Sequence, residues 1–196
     1  MKTLFTISIL VVGLYVGSTP VGSLPALGPF LDPVRGVWAS TRGTNLPPSV
    51  VHEMPGLTSE VEIIYDDRRV PHIFAETVED VFRGMGYAVA RDRLFQLELQ
   101  TRATAGTLTQ LVGEIALPAD RRSRRLGLAW SAEKDFSDLP SGSPGAAYLQ
   151  AYADGVNAWI GKMGPAELPL EYHLLGRTPM RWLPQYSIYL LKRMGW

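Results

Sequence analysis

Residues Val61–Gly113 read VEIIYDDRRVPHIFAETVEDVFRGMGYAVARDRLFQLELQTRATAGTLTQLVG, and two periodicities meet inside them. Val61 to Tyr65 is a β-branched and aromatic run, ended by the charged turn Asp66 to Arg69 and followed by Val70 to Ala75. That pattern predicts two short strands joined by a tight turn. At Thr77 the period changes. Val78, Val81, Phe82, Met85 and Val89 recur at helical spacing, with Asp80 three residues beyond Thr77, the layout of a capped amphipathic helix. A second helical stretch runs from Asp92 through Leu94, Phe95, Leu97 and Leu99, and Gly106 breaks it before Leu108, Leu111 and the stop at Gly113.

Downstream, Pro144 to Ile160 predicts a helix with proline in its first turn and Ala147, Leu149, Tyr152, Val156 and Trp159 toward its buried side. A last helix starts after Pro184 and still runs at Trp196. The expected fold class is α+β, mostly α with a small N-terminal β hairpin.

Upstream, residues 1–16 (MKTLFTISILVVGLYV) place one lysine before an apolar stretch broken by Ser8. This is the pattern of a signal peptide, or of a membrane anchor shorter than the roughly 20 residues that span a bilayer comfortably. Export to a periplasmic, secreted or membrane-anchored location is expected. Residues 17–57 are rich in Gly, Pro, Ser and Thr and read as a linker, in which Phe30, Val37 and Trp38 are candidates to dock on the domain that follows. Residues 58–196 form that domain.

Composition limits the chemistry. The 196 residues are 46% apolar, enough for one ordinary core, and 19 basic and 19 acidic side chains leave no net field to attract nucleic acid. With no cysteine there is no disulfide scaffold and no thiolate nucleophile, and the three histidines, His52, His72 and His173, stand far apart with no metal-binding spacing. No metal site is signalled.

Three local groupings invite a chemical reading. His72 has Asp66 and Asp67 nearby, as a general base would, but a histidine beside proline in a strand is more often structural. The block Asp120 to Arg125 (DRRSRR) could bind phosphate, yet on a neutral chain it reads as a solvated, ion-paired turn. Asp92 and Arg93 could be an acid and a clamp, whereas their place at a helix start favours a cap and a local ion pair. Residue chemistry alone assigns no catalytic residue.

The order of motifs adds what chemistry leaves open. VPHIFAETVEDVFRGMGYAVARDRLFQLELQTRATAGTLTQLVG, then LQAYADGVNAWI (Leu149–Ile160) and LPLEYHLLGRTPMRWLP (Leu168–Pro184), resembles the penicillin acylase (penicillin amidase) family of N-terminal-nucleophile hydrolases. The resemblance implies the α-chain part of a four-layer αββα fold, made from a precursor that cuts itself into an α and a β chain. It implies hydrolysis of a small acyl-amide substrate by a serine at the front of the β chain, whose own α-amine serves as base. No serine of this sequence stands in that processing context, so catalytic residues are expected on the β chain, the implied partner. Calcium, held in complete enzymes largely by the β chain, is not expected to bind here. The last helix leads toward the acyl-side pocket in the family, which makes Met194, Gly195 and Trp196 the candidate substrate-binding residues, and the sequence is expected to be incomplete at its C-terminal end.

Two positions depart from the family pattern. Arg69 stands where a glycine usually precedes VPHI, at a cost of about 1 kcal/mol if the turn needs positive φ. Tyr186 stands where an aspartate usually caps the last helix, leaving Ser187 as a possible substitute cap. The alternative to a hydrolase part is a non-catalytic binding or accessory module that kept the α-chain fold, and a third reading is a helical structural module with no ligand.

Overall fold

Strands β1 (Glu62–Tyr65) and β2 (Pro71–Phe74) pair antiparallel, Ile63 opposite Ile73 and Ile64 opposite His72. The computed structural model that defines them describes residues 2–19, 26, 28–32, 51–164 and 167–195. Val37, Trp38, Trp196 and most of the 17–57 linker lie outside the described residues. The period-two alternation turns Val61, Ile63 and Ile73 inward and leaves Glu62, Ile64, His72 and Phe74 exposed. In the turn, Asp66 Oδ1 accepts from the N–H groups of Arg68 (2.9 Å) and Val70 (2.8 Å). Arg69 takes φ 61° there, so the left-handed position the sequence suggested does exist and is filled by a β-carbon-bearing residue.

Helix α1 (Lys2–Ser18) and the single turn α2 (Gly28–Leu31) are followed, after the hairpin, by α3 (Val78–Ala105). Thr77 caps α3, its hydroxyl accepting from Asp80 N–H at 3.2 Å, and left-handed Gly106 (φ 66°) ends it. The two helical stretches read from the sequence are one element, interrupted at Arg93 (φ −144°, ψ 26°), where the helical ladder breaks and the axis kinks. Next come α4 (Thr109–Val112), a 3₁₀ turn (Glu114–Ala116), α5 (Leu117–Leu126), α6 (Leu128–Ser137), α7 (Pro144–Lys162), α8 (Leu170–Leu175) and α9 (Gln185–Met194). The fold class expected from the sequence is the one observed: helices with one small hairpin.

The chain forms two units, residues 51–162 with 179–196 and residues 1–50 with 163–178. In the larger unit the core is the α3–α7 crossing. Gly86 and Gly155 make it possible. A Cβ on Gly86 would lie 2.2 Å from the Tyr152 carbonyl oxygen, and one on Gly155 would lie 1.9 Å from the Arg83 carbonyl oxygen. Aromatic rings pack along the same seam, Phe82 stacked on Tyr148 (5.0 Å between centroids) and Tyr87 edge-on to Trp159 (5.5 Å). Gly84 admits the hairpin, since its missing Cβ faces Val61 and Ile73 methyl groups at 2.9 and 3.0 Å.

The buried side of α7 differs from the sequence expectation. Ala151, Ala153, Gly155, Val156 and Trp159 are buried, whereas Ala147 is exposed and Leu149 and Tyr152 are half-buried. The close backbone approach selects small residues for the seam and displaces the larger ones to its rim. In the smaller unit α2 lies against α1 and α8. Gly28 sits so near α1 that a Cβ would meet the Gly17 carbonyl oxygen at 2.5 Å.

Candidate functional site

The chain that enters α9 is held by three supports. Ahead of the helix, Asn157 on α7 donates from Nδ2 to the Trp182 carbonyl (2.9 Å) and accepts at Oδ1 from Trp182 N–H (2.8 Å). Glu98 on α3, almost fully buried, accepts from Met180 N–H at 3.1 Å and from Arg102 Nε at 2.7 Å. An aromatic series then leads into the helix, Tyr152 to Trp182 (6.4 Å), Trp182 to Tyr186 (5.5 Å) and Tyr186 to Tyr189 (5.4 Å).

Two further bonds hold α9 to α6. Tyr189 donates its hydroxyl to Glu133 Oε1 at 2.5 Å, and Lys192 Nζ pairs with Asp135 Oδ2 at 2.6 Å. The phenols stay protonated. Burial pushes Tyr152 up to about 12, and it also raises Tyr186 and Tyr189, the latter helped by its bond to Glu133. None is a base at neutral pH. Ser187 does not act as the substitute cap, because α9 starts with no side-chain cap and the Ser187 hydroxyl is buried with no hydrogen-bond partner.

With its inner side held this way, α9 turns Leu191 (63% exposed) and Met194 (75% exposed) outward. They are three residues apart and so share a face, with exposed Gly195 just beyond them. Of the three candidate substrate-binding residues, Met194 and Gly195 stand together at this helix end, while Trp196 lies outside the described residues. Leu191 was missed, although its i, i+3 spacing from Met194 was the available signal. The result is a pair of exposed apolar side chains on a helix whose other side is bonded to α6.

The other groupings are placed elsewhere. His72 Nε2 lies 3.5 Å from Asp66 Oδ2, but both side chains are exposed. The Val70 N–H bond, followed by the His72 contact, holds the Asp66 carboxyl below its ordinary range, so Asp66 serves the turn. Among the described residues Asp92 makes no cap and no ion pair. It sits beside the Arg93 kink, where burial raises its carboxyl despite Arg91, Arg93 and Arg69 nearby. Arg93 bonds Gln96 Oε1 at 3.2 Å.

The DRRSRR block corrects the sequence reading most. It is part of helix α5, not a turn, and Asp120 is buried. Asp120 accepts from the N–H groups of Leu108 and Thr109, both at 2.8 Å, and from the Thr109 hydroxyl, while Arg124 Nε donates to the Gly106 carbonyl at 2.8 Å. Asp80 does the same at the start of α3, accepting from Thr58 N–H, Ser59 N–H and Arg83 Nη1. Among the described residues no three His, Asp or Glu side chains converge.

The sequence profile of the penicillin amidase family matches residues 60–196. A penicillin acylase 2 proenzyme of Pseudomonas sp. (strain SE83) is 40% identical over 142 residues, covering 72% of this chain and 18% of that protein. Penicillin G acylase of Escherichia coli is 38% identical over 131 residues, covering 65% and 15%. The acyl-homoserine lactone acylase QuiP of Pseudomonas aeruginosa is 32% identical over 163 residues, covering 81% and 19%. The solved structure of a thermostable penicillin G acylase from Alcaligenes faecalis superposes with a TM-score of 0.63 at 29% identity, over 69% of this chain and 72% of that one. The chain thus spans less than a fifth of the length of these curated relatives.

Proposed function

This chain belongs to the penicillin amidase family, and on that premise we propose that it is the α-chain portion of an exported amidohydrolase that cleaves the carbon–nitrogen bond of linear amides. The substrates proposed are N-acylated small molecules, either the acyl side chains of β-lactam antibiotics or acyl-homoserine lactones. The observation that carries this reading is the exposed apolar pair on α9. Leu191 and Met194 are exposed apolar side chains on a helix whose other side is fixed by Trp182, Tyr189 and Lys192.

In this reading the work is divided between two polypeptides. A serine that is also a chain terminus attacks the amide carbonyl, and its freed α-amine takes the hydroxyl proton. That residue belongs to a companion chain from the same precursor. The present chain contributes an apolar wall that orders the acyl group, so that binding energy from a non-reacting part of the substrate favours attack. Any calcium in the complete enzyme is held by groups elsewhere in that assembly.

Residues 2–18 attach the protein to a membrane or direct its export. Helix α1 is apolar along its length, with Leu4, Phe5 and Leu14 well exposed. Among the described residues no helix is long and apolar enough to cross a membrane.

The test is hydrolysis of a phenylacetyl amide by the purified chain, alone and co-expressed with a serine-led companion chain of the same precursor. Turnover with the companion and none without it is the expected result. Serine-dependent turnover by the chain alone would overturn the reading. Failure of the two chains to associate, with cooperative melting of this one by itself, would favour an independent binding module.

A further inference from the structure

Helix α5 and the corner after it carry a surface that the hydrolase reading does not use. Arg121, Arg122 and Arg125 are exposed, and among the described residues none of them forms an ion pair. The nearby acids are committed elsewhere. Asp120 is buried under Leu108 and Thr109, Glu133 is bonded to Tyr189, Asp135 to Lys192 and Asp138 to Lys134. Glu114 remains as the local counter-charge. Three exposed arginines without an ion pair among the described residues thus fall within five residues of a chain with no net charge.

Exposed apolar side chains stand close to these charges in the sequence. Ile115 (84% exposed) precedes the helix, Leu126 ends it one turn beyond Arg122, and Trp130 (70% exposed) opens α6 past the left-handed corner at Gly127. Cations beside exposed indole and aliphatic groups are the composition of a surface that lies at a lipid interface, where the indole sits at headgroup depth and guanidinium groups meet phosphate.

The length of α1 gives a reason for such a surface. Its 17 residues rise about 26 Å at 1.5 Å each, short of the roughly 30 Å hydrocarbon core. One apolar attachment of marginal depth binds reversibly, and stable residence takes a second signal such as a polybasic patch. Taking the attachment proposed for residues 2–18 as its basis, we infer that Arg121, Arg122 and Arg125, flanked by Ile115, Leu126 and Trp130, dock the folded domain on an anionic phospholipid surface.

The full 196-residue chain is to be sedimented with phosphatidylcholine vesicles, with and without phosphatidylglycerol, across a range of salt. Anionic vesicles should bind more tightly than neutral ones, and the difference should vanish at high salt. The triple variant R121Q/R122Q/R125Q, checked for native circular dichroism, should lose the preference by on the order of a hundredfold. W130S should weaken anionic binding while leaving its salt dependence in place. If the triple variant fails to fold, the salt titration of the unmodified chain still decides. Equal binding to both vesicle types, or a preference unmoved by salt, overturns the inference. Release by millimolar inorganic phosphate overturns it in favour of a discrete anion site. If α1 does not attach, neutral vesicles bind nothing while the anionic preference persists, which separates failure of the attachment reading from failure of this one.

Discussion

Asn157 and Trp182 exchange two hydrogen bonds, side-chain amide against backbone, at 2.9 and 2.8 Å. The exchange does for one residue what a strand partner would do, fixing the chain that enters α9 and the direction in which that helix leaves α7. Trp182 is almost fully buried. Position 157 was legible in the sequence only as part of the helix motif LQAYADGVNAWI.

Asn157→Ala should leave the Trp182 N–H and carbonyl without partners in a buried place. The expected loss is about 2 kcal/mol, since both the bonds and the desolvation penalty count. Urea unfolding should show a lower midpoint with an unchanged slope.

Gly86→Ala and Gly155→Ala should each destabilise severely, because the added methyl would fall 2.2 and 1.9 Å from a carbonyl oxygen of the opposing helix. Neither backbone can retreat without opening the α3–α7 seam. A loss of more than about 3 kcal/mol, or failure to fold, is expected. Gly145→Ala, with nothing within 4 Å of its Cβ, is the control and should be neutral or mildly stabilising.

Arg69→Gly should stabilise the hairpin by up to about 1 kcal/mol, because glycine occupies φ 61° without a Cβ clash. Part of that gain is offset by the greater freedom of glycine in the unfolded chain. A small rise in melting temperature checks it.

Acid should unfold the domain through Asp80 and Asp120. Burial alone would raise both carboxyls, but hydrogen bonds from Thr77, Thr58 and Ser59 in one case, and Thr109 and Leu108 in the other, with Arg83 and Arg124 nearby, hold them below the ordinary range. A depressed folded value favours the ionised form in the native state. Its stabilisation is complete above the unfolded pKa of about 3.9 and fades as pH falls through the folded value. Melting temperature should be flat from neutrality to about pH 5 and drop below about pH 4. Asp80→Asn should melt lower at neutral pH and show a shallower acid limb.

These carboxylates also mark where sequence reading stops. The hairpin, the Thr77 cap and the Gly106 stop are local, set by residues within a few positions of one another, and could be read directly, while the left-handed turn at Arg69 was signalled only by the glycine the resembled family usually has there. Besides the local partners of Asp80 and Glu98, the three carboxylates Asp80, Asp120 and Glu98 accept from backbone groups 22, 11 and 82 positions away, and nothing local announces those bonds. The same distance effect made DRRSRR look like a polar turn: Asp120 reaches back to the α4 start, and Arg124 to Gly106. The family resemblance put Met194 on a last helix expected to run on through Trp196, whereas α9 ends at Met194 with Gly195 as its cap. That Leu191 shares a face with Met194, and that Glu133 and Asp135 hold the opposite one, depends on how α6 packs.

The account turns on which polypeptide carries the nucleophile. The companion-bound protein is to be treated with a serine-directed acylating reagent such as phenylmethanesulfonyl fluoride and each chain weighed by mass spectrometry. A single adduct on the N-terminal serine of the companion, with this chain unmodified, is the predicted result. A stoichiometric adduct on any serine between residues 1 and 196 of this chain, accompanied by loss of hydrolysis, would contradict it.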